Sequence, residues 1–187
     1  KELTGISIEL ISGKEEAKII YAAHMEKLLS NHSSFLYLDV GGGSSELTFF
    51  DKGKIMASKS FNIGTIRLLN KIVKDSLWDE MRDWVKETTK GKNISLIGSG
   101  GNINKAFKLS RKSKNEALSY NYLSGLFTNF KNTSYEERVI KLDLKLDRAD
   151  VIIPALNIFT SVMKWTSAEE IFVPKIGLAD GVIKMMD

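Results

Sequence analysis

The stretch of residues 35–50, FLYLDVGGGSSELTFF, constrains the fold more than any other part of the sequence. It begins with an apolar run, Phe35–Val40, which is typical of a buried strand. Three glycines, Gly41–Gly43, then turn the chain, and Ser45–Phe50 alternates polar with apolar residues as a second strand does. The pattern predicts a β-hairpin whose tip lacks Cβ atoms, so that a ligand can approach the main-chain N–H groups closely.

Two carboxylates flank this glycine turn. Asp39 stands at the end of the first strand, and Glu46 lies on the second strand, on the same face as Thr48 because side chains alternate with a period of two. Successive N–H groups in a turn form an anion-binding concavity, for which phosphate is the obvious guest. Mg²⁺ prefers one or two carboxylates together with phosphate oxygens and waters. We therefore expect phosphate at the turn and Mg²⁺, or another divalent cation, at Asp39 and Glu46.

A second glycine-rich turn follows a second apolar run. Ile94–Ile97 is typical of a short strand, and Gly98–Gly101 separates it from a helix that begins at Asn102. A helix N-terminus offers unpaired N–H groups and a positive dipole end, which together bind anions or nucleotides. The spacing matches neither the Walker pattern nor the dinucleotide fingerprint, since residue 103 is isoleucine. Taken alone, the motif is equally consistent with a tight turn.

The remaining chain predicts alternating helices and strands. Ser12 and Glu15 form a capping box that starts a helix running to about residue 29, and this leaves Glu16, about 100° further round the helix, free for other work. Ser134 and Glu137 form a second capping box. Further elements are predicted as a strand at 55–61, helices at 64–69, 75–90, 102–110, 121–131 and 134–142, a buried helix at 150–165, a strand at 170–175 and a closing helix at 177–186.

Composition restricts the classes of function. With 187 residues, of which 43% are hydrophobic and 27% charged, the chain can bury a normal core. It has no cysteine, which excludes disulfides and thiolate chemistry, and we expect a reducing, cytoplasmic location. No apolar run is long enough to span a membrane, so a soluble protein is expected. The basic cluster at 105–114 has no aromatic residues alternating with its basic residues at 110–114, so no specific nucleic-acid partner is expected.

The motif DVGGGSSEL at 39–47 resembles the phosphate-binding hairpin of the exopolyphosphatase and guanosine pentaphosphate phosphatase (Ppx/GppA) family, within the actin, Hsp70 and sugar-kinase superfamily. Four further stretches agree in order, which are ISGKEEA at 11–17, GSGG at 98–101, RAD at 148–150 and GLADGV at 177–182. The resemblance implies an α/β fold, the ribonuclease H-like half-domain of the actin-like ATPase fold. Such a half-domain is a mixed sheet with an antiparallel meander and flanking helices.

The resemblance also implies a domain organisation. Family enzymes have two such half-domains with the active site in the cleft between them, and the N-terminal half opens with a motif like Ile-Asp-Leu-Gly-Ser-Asn. Nothing in Lys1–Ile11 corresponds to that motif. We therefore expect residues 1–187 to form a single domain, the second half-domain of a two-half-domain phosphatase, with the N-terminal half-domain absent as its missing partner. The isolated fragment is expected to be inactive. The oligomeric state stays open, with a homodimer as one candidate because the family often pairs.

Roles follow from the resemblance residue by residue. Glu16 matches the glutamate that acts as general base toward the attacking water, and Asp39 and Glu46 match the carboxylates near the metal. The expected reaction removes terminal phosphate from inorganic polyphosphate or guanosine pentaphosphate, with Mg²⁺. The expected phosphate-binding residues are Gly41, Gly42, Gly43, Ser44, Gly98, Ser99, Gly100 and Gly101.

Other interpretations stay open at this point. Arg148 and Asp150 also match family positions, and we expect structural roles for them, with Asp150 capping the buried helix. An ATP-dependent kinase or ATPase of the same superfamily shares the two glycine loops. A non-catalytic domain that binds an alarmone or polyphosphate is a third interpretation. The sequence does not choose between polyphosphate and guanosine pentaphosphate.

Overall fold

A computed structural model of the chain describes residues 34–113, 116–142, 144 and 146–174, and these residues form a mixed sheet with helices packed against it. All of them belong to one unit of the chain, residues 31–175. Glu16, the predicted helix at 12–29 and the closing motif at 177–182 lie outside the described residues.

The described sheet has six strands in the order β3-β2-β1-β4-β6-β5. The first three form an antiparallel meander, β4 and β6 extend the sheet in parallel, and the short β5 pairs antiparallel at the far edge. The strands are β1 (Ser34–Val40), β2 (Ser45–Asp51), β3 (Lys54–Phe61), β4 (Ile94–Ser99), β5 (Leu118–Ser119) and β6 (Glu170–Phe172).

Helices connect the later strands. Ser134 and Glu137 form the predicted capping box, since each backbone N–H donates to the other residue's side-chain oxygen at 3.2 Å. The helices are α1 (Thr65–Leu69), α2 (Asp75–Thr88), α3 (Gly101–Ser110), α4 (Tyr120–Lys131), α5 (Tyr135–Leu142), α6 (Leu146–Ala149) and α7 (Ile152–Thr166).

Helix α7 is the buried helix that the sequence predicts. Ile158, Phe159 and Val162 are fully buried, because apolar residues cover nearly every side of this helix and other elements pack on all of them. The helix also approaches the sheet closely at Gly98, where a Cβ atom would lie 3.2 Å from the Phe159 ring and 2.8 Å from Ile171 Cδ1. Gly98 therefore serves packing between sheet and helix.

The structure corrects several details of the sequence-based assignment, among them the short helix α6, which was not predicted. The strand predicted to run to residue 175 ends at Phe172. The two-residue strand β5 was not predicted, because two residues are too few to show a pattern. Asp150 does not cap the buried helix, since the N-cap is Val151 and no side-chain capping hydrogen bond forms. None of the helices in the described part of the chain has the length and apolar character needed to cross a bilayer.

Candidate active site

The register of the sheet brings the two glycine turns together. Strand β1 lies between β2 and β4, so that Asp39 is the direct neighbour of Glu46 on one side and of Ser99 on the other. Because β1 and β4 are parallel, the turns that follow them lie at the same edge of the sheet. A Cβ atom on Gly100 would lie 2.8 Å from the Val40 carbonyl oxygen and 3.5 Å from Asp39 Oδ1. The predicted loops and carboxylates thus form one site.

The first turn uses its carbonyls as hydrogen-bond acceptors within the fold and leaves two N–H groups without a backbone acceptor among the described residues. The Gly41 N–H donates to the Ser44 carbonyl at 3.0 Å, which closes the turn. The first N–H groups of α1 donate to the Gly41 and Gly42 carbonyls at 3.0 and 2.9 Å. The N–H groups of Gly42 and Gly43 have no backbone acceptor in the described part of the chain, and the space beside Gly43 is open. These two N–H groups are free to bind an anion.

Gly64 makes this arrangement sterically feasible. A Cβ atom at this position would overlap the main chain of Gly42 and Gly43, which cannot move aside. The glycine therefore lets α1 begin directly on the turn, and the helix fixes the turn's conformation. The sequence offered a weak signal for this role, a glycine immediately before a helix.

Asp39 and Glu46 differ in their surroundings. Burial raises the pKa of Asp39, the nearby charge of Glu46 raises it further, and a hydrogen bond from Ser99 partly opposes both. Glu46 accepts hydrogen bonds from the hydroxyls of Ser44 at 2.6 Å and Ser60 at 2.9 Å. The Ser44 hydroxyl, expected to bind phosphate, is thus directed at Glu46.

The carboxylate pair fits a hard divalent cation. Two carboxylates on adjacent strands stand beside a turn with open N–H groups, and Mg²⁺ takes one or two carboxylates while phosphate and water complete its shell. A cation there would also offset the repulsion between Asp39 and Glu46, which adds to the effect of burial in raising the pKa of Asp39. Within the described ranges no cluster of three or more candidate ligand side chains exists, so among those residues Asp39 and Glu46 would be the carboxylates that hold the cation.

The second turn ends in an open helix N-terminus. Gly100 has φ of 113°, a conformation that favours glycine. Helix α3 then starts at Gly101 without an acidic residue in its first turn and without a side-chain cap. Its first N–H groups and its positive dipole end are therefore available to an anion. The Oδ1 atom of Asn102 is buried nearby and has no hydrogen-bond partner among the described residues.

Arg148 belongs to this second turn, which sequence reasoning missed. A Cβ atom on Gly101 would overlap the Arg148 guanidinium, so the guanidinium rests on the main chain where α3 begins. A cation at the positive end of a helix is electrostatically unfavourable unless an anion lies beside it. The contact places the Arg148 guanidinium beside the second turn, and its expected structural role stays a prediction. The contact could not be predicted from the sequence, because the motif RAD at 148–150 contains no signal for a contact with Gly101.

The site thus consists of two anion-binding turns beside a pair of carboxylates, and this geometry agrees with the family that the sequence matches. A model of the Ppx/GppA phosphatase family matches residues 1–186. The chain belongs to the Ppx/GppA phosphatase family. The predicted family is confirmed, and the six-stranded mixed sheet agrees with the predicted actin-like fold class.

Relatives of this Ppx/GppA family member are distant in sequence and similar in fold. The Ppx/GppA phosphatase of Aquifex aeolicus has a TM-score of 0.78 at 22% identity, over 97% of this chain and 66% of that one. An exopolyphosphatase from Cytophaga hutchinsonii has a TM-score of 0.77 at 22% identity, over 99% and 67%. A putative exopolyphosphatase of Haemophilus influenzae is 24% identical over 96% of this chain and 60% of its own length.

A bifunctional 3-dehydroquinate synthase/phosphatase of Fusobacterium nucleatum is 28% identical over 91% of this chain and 29% of its own length. The Ppx/GppA chain described here therefore spans between about a third and two thirds of these relatives. Of its predicted site residues, the structure brings together both glycine turns, Asp39 and Glu46. The position of Glu16 lies outside the described residues, and its role stays a prediction.

Proposed function

We propose that this Ppx/GppA family member acts in a phosphohydrolase that removes the terminal phosphate from inorganic polyphosphate or guanosine pentaphosphate. The observation that carries the proposal is the convergence of two open anion-binding turns on one carboxylate pair. Hydrolysis of a phosphoric anhydride depends mainly on positioning the phosphates and neutralising the charge that develops on them. Relatives named as exopolyphosphatases support the polyphosphate class of substrate.

The two turns and Arg148 bind the phosphate chain in this proposal. The N–H groups of Gly42 and Gly43 hold oxygens of one phosphate, and the start of α3 at Gly101 holds oxygens of its neighbour. The Arg148 guanidinium on the same main chain adds a full positive charge to the helix N-terminus. These donors are fixed before substrate arrives, so they stabilise developing negative charge without reorganisation.

Asp39 and Glu46 would hold the divalent cation. A bound Mg²⁺ neutralises charge on the phosphate oxygens. Ser99 holds the Asp39 carboxylate in place, and Ser44 and Ser60 do the same for Glu46. Removing the hydroxyl of Ser99, or those of Ser44 and Ser60, would make the corresponding carboxylate more mobile without changing the charge of the site.

Glu16 is the proposed general base. Water attacks the terminal phosphorus, the bond from phosphorus to the bridging oxygen breaks, and the proton of the water passes to the Glu16 carboxylate. The sequence supports this choice, because the capping box predicted for Ser12 and Glu15 would occupy Glu15 and leave Glu16 without a structural task.

The two adjacent glutamates supply a matched test. Glu16→Gln in the full-length protein is expected to lower the rate of phosphate release by about 10²- to 10⁴-fold, while polyphosphate binding stays largely intact. Glu15→Gln is expected to keep turnover, since glutamine also completes a capping box. Phosphate release at the wild-type rate from Glu16→Gln would remove Glu16 as the base.

The 187-residue chain by itself is expected to bind polyphosphate and to release no phosphate, because family enzymes place the active site between two half-domains. Phosphate release assayed on this chain and on the full-length protein tests the point. Robust release from the chain alone would contradict a requirement for the second half-domain.

A further inference from the structure

A cavity of about 360 Å³ lies between three helices and apart from the glycine turns. The C-terminal end of α1, the C-terminal half of α4 and the start of α7 line it, together with Arg138 of α5. Residues 41–44 and 98–101 are not part of this lining. The volume falls within the range of about 300–1,000 Å³ that is typical of small-molecule sites. The cavity is therefore large enough for a small organic ligand that does not occupy the phosphate turns.

The three helices all contribute apolar surface to the cavity. The apolar residues of the lining are Leu68, Leu69, Phe127, Ile153 and Pro154. Leu69 is 47% exposed, so the described part of the chain leaves apolar surface uncovered here. Contact with the apolar part of a ligand would remove this surface from water, which is favourable. An inorganic phosphate chain has no apolar surface to place against it.

The charged side chains of the lining leave an excess of positive charge. Asp150 and Arg138 form an ion pair, with Oδ1 3.9 Å from Nη2, so their charges offset each other. Lys71 and Lys131 also line the cavity, and neither has a carboxylate partner among the described residues. The Nζ atom of Lys131 lies 5.4 Å from the centroid of the Phe127 ring, which puts positive charge beside apolar surface. This combination favours a ligand that joins an apolar body to an anionic group.

Lys71 stands at a position where glycine is the usual residue. Its φ of 56° is left-handed, and its N–H donates to the Leu68 carbonyl at 3.0 Å. The N–H of Ile72 donates to the Arg67 carbonyl at 3.1 Å, so the two bonds end α1 as a Schellman motif. A side chain in the left-handed region costs free energy that glycine avoids. The end of the helix thus gives no reason for a lysine, whereas an anion in the cavity does.

We propose that this cavity binds a small organic monoanion, an apolar body that bears one acidic group, at a site separate from the phosphate turns. The apolar body lies against Leu68, Phe127 and Ile153, and the acidic group pairs with Lys71 and Lys131. Helix α1 begins on the first glycine turn and ends at the cavity, so the ligand binds at the far end of the helix that fixes that turn. This inference does not rest on the proposed hydrolysis.

Naphthoate and naphthamide test the proposal by calorimetric titration of the protein, because they share the same rings and differ in charge. Each exposed lysine is expected to contribute a factor of about 2 to 5 in affinity for the anion. Wild type is therefore expected to bind naphthoate about 4- to 25-fold more tightly than naphthamide. Saturating inorganic pyrophosphate is expected to leave naphthoate affinity nearly unchanged at physiological ionic strength, since the phosphate turns do not line the cavity.

Lys71→Gly removes one of the two charges without a cost to the fold. It is expected to lower naphthoate affinity about 2- to 5-fold and to leave naphthamide affinity nearly unchanged. Its unfolding temperature is expected at or above the wild-type value, because glycine relieves the left-handed conformation. Adding Lys131→Gln is expected to remove most of the preference for the anion. Lys86→Gln, which changes an exposed lysine in the last turn of α2, is the matched control and keeps the preference.

Equal affinities of wild type for naphthoate and naphthamide, or binding of neither, would overturn the proposed site. Competition between pyrophosphate and naphthoate would assign naphthoate to the phosphate turns and would also overturn it. A loss of preference in Lys86→Gln as large as that in Lys71→Gly would show general attraction to a basic surface, with the same consequence.

Discussion

Gly101→Ala separates the anion-binding role of the second turn from the stability of the fold. The new methyl group would overlap the Arg148 guanidinium, with its Cζ atom only 2.6 Å from the added Cβ. The guanidinium is the far end of a flexible side chain, so it can rotate away at little cost. The substitution therefore displaces the cation while the main chain of the turn stays in place.

The magnitudes follow from these contacts. A hydrogen bond to a charged group contributes about 1.5–3 kcal/mol, so displacing Arg148 is expected to weaken polyphosphate binding by roughly 10- to 150-fold. Replacing a helical glycine by alanine stabilises a helix by up to about 1 kcal/mol, and less at the first helical position. Gly101→Ala is thus expected to unfold at the wild-type temperature or up to about 4 °C above it.

Gly125→Ala is the matched control for Gly101→Ala. Gly125 lies exposed within α4, and nothing stands within 4 Å of an added Cβ, so this variant gains helix propensity without touching the site. Thermal unfolding and titration with inorganic polyphosphate are measured for both variants. Unchanged polyphosphate affinity in Gly101→Ala would refute the role assigned to Arg148, and a marked loss of stability would refute its rotation at low cost.

Three further substitutions test the packing and charge of the first turn. Gly64→Ala is expected to lower the free energy of unfolding by about 1–3 kcal/mol or more, because the added methyl group would overlap the main chain of Gly42 and Gly43. Gly43→Ala has open space around the added methyl group, so its free energy of unfolding is expected to stay within about 0.5 kcal/mol of wild type. Denaturant unfolding measures both variants. Asp39→Asn tests the raised pKa of Asp39. Because the folded state binds the carboxyl proton of Asp39 more tightly than the unfolded state, this group stabilises the wild-type fold at low pH. That stabilisation falls as pH rises from the ordinary pKa of 3.8 through the raised pKa. Without divalent cations, Asp39→Asn is expected to gain stability relative to wild type over that range. A stability of Asp39→Asn relative to wild type that falls as pH rises would contradict the effect of burial.

Much of the local structure could be predicted from the sequence. The hairpin β1–β2, the buried helix α7 and the capping box of Ser134 and Glu137 all follow from patterns within a few residues of one another. The glycine turns were found for the same reason, since a run of glycines is a local signal. The family itself was evident from the order of five such motifs.

Contacts between distant segments could not be predicted in this way. Nothing near Arg148 in the sequence indicates that its guanidinium rests on Gly101, and nothing near Asp150 indicates a cavity shared with Phe127. The predicted capping role of Asp150 was wrong as well, because α7 begins at Ile152 with Val151 as its N-cap.

The sequence by itself determined most of the strands, helices and bare turns among the described residues, because backbone preference and the period of apolar residues are short-range properties. Only the tertiary structure decided that Asp39 lies between Glu46 and Ser99. It also decided that the Arg148 guanidinium contacts the main chain at the start of α3. Strand register and helix packing fix those neighbours, and both arise from the burial of many side chains at once.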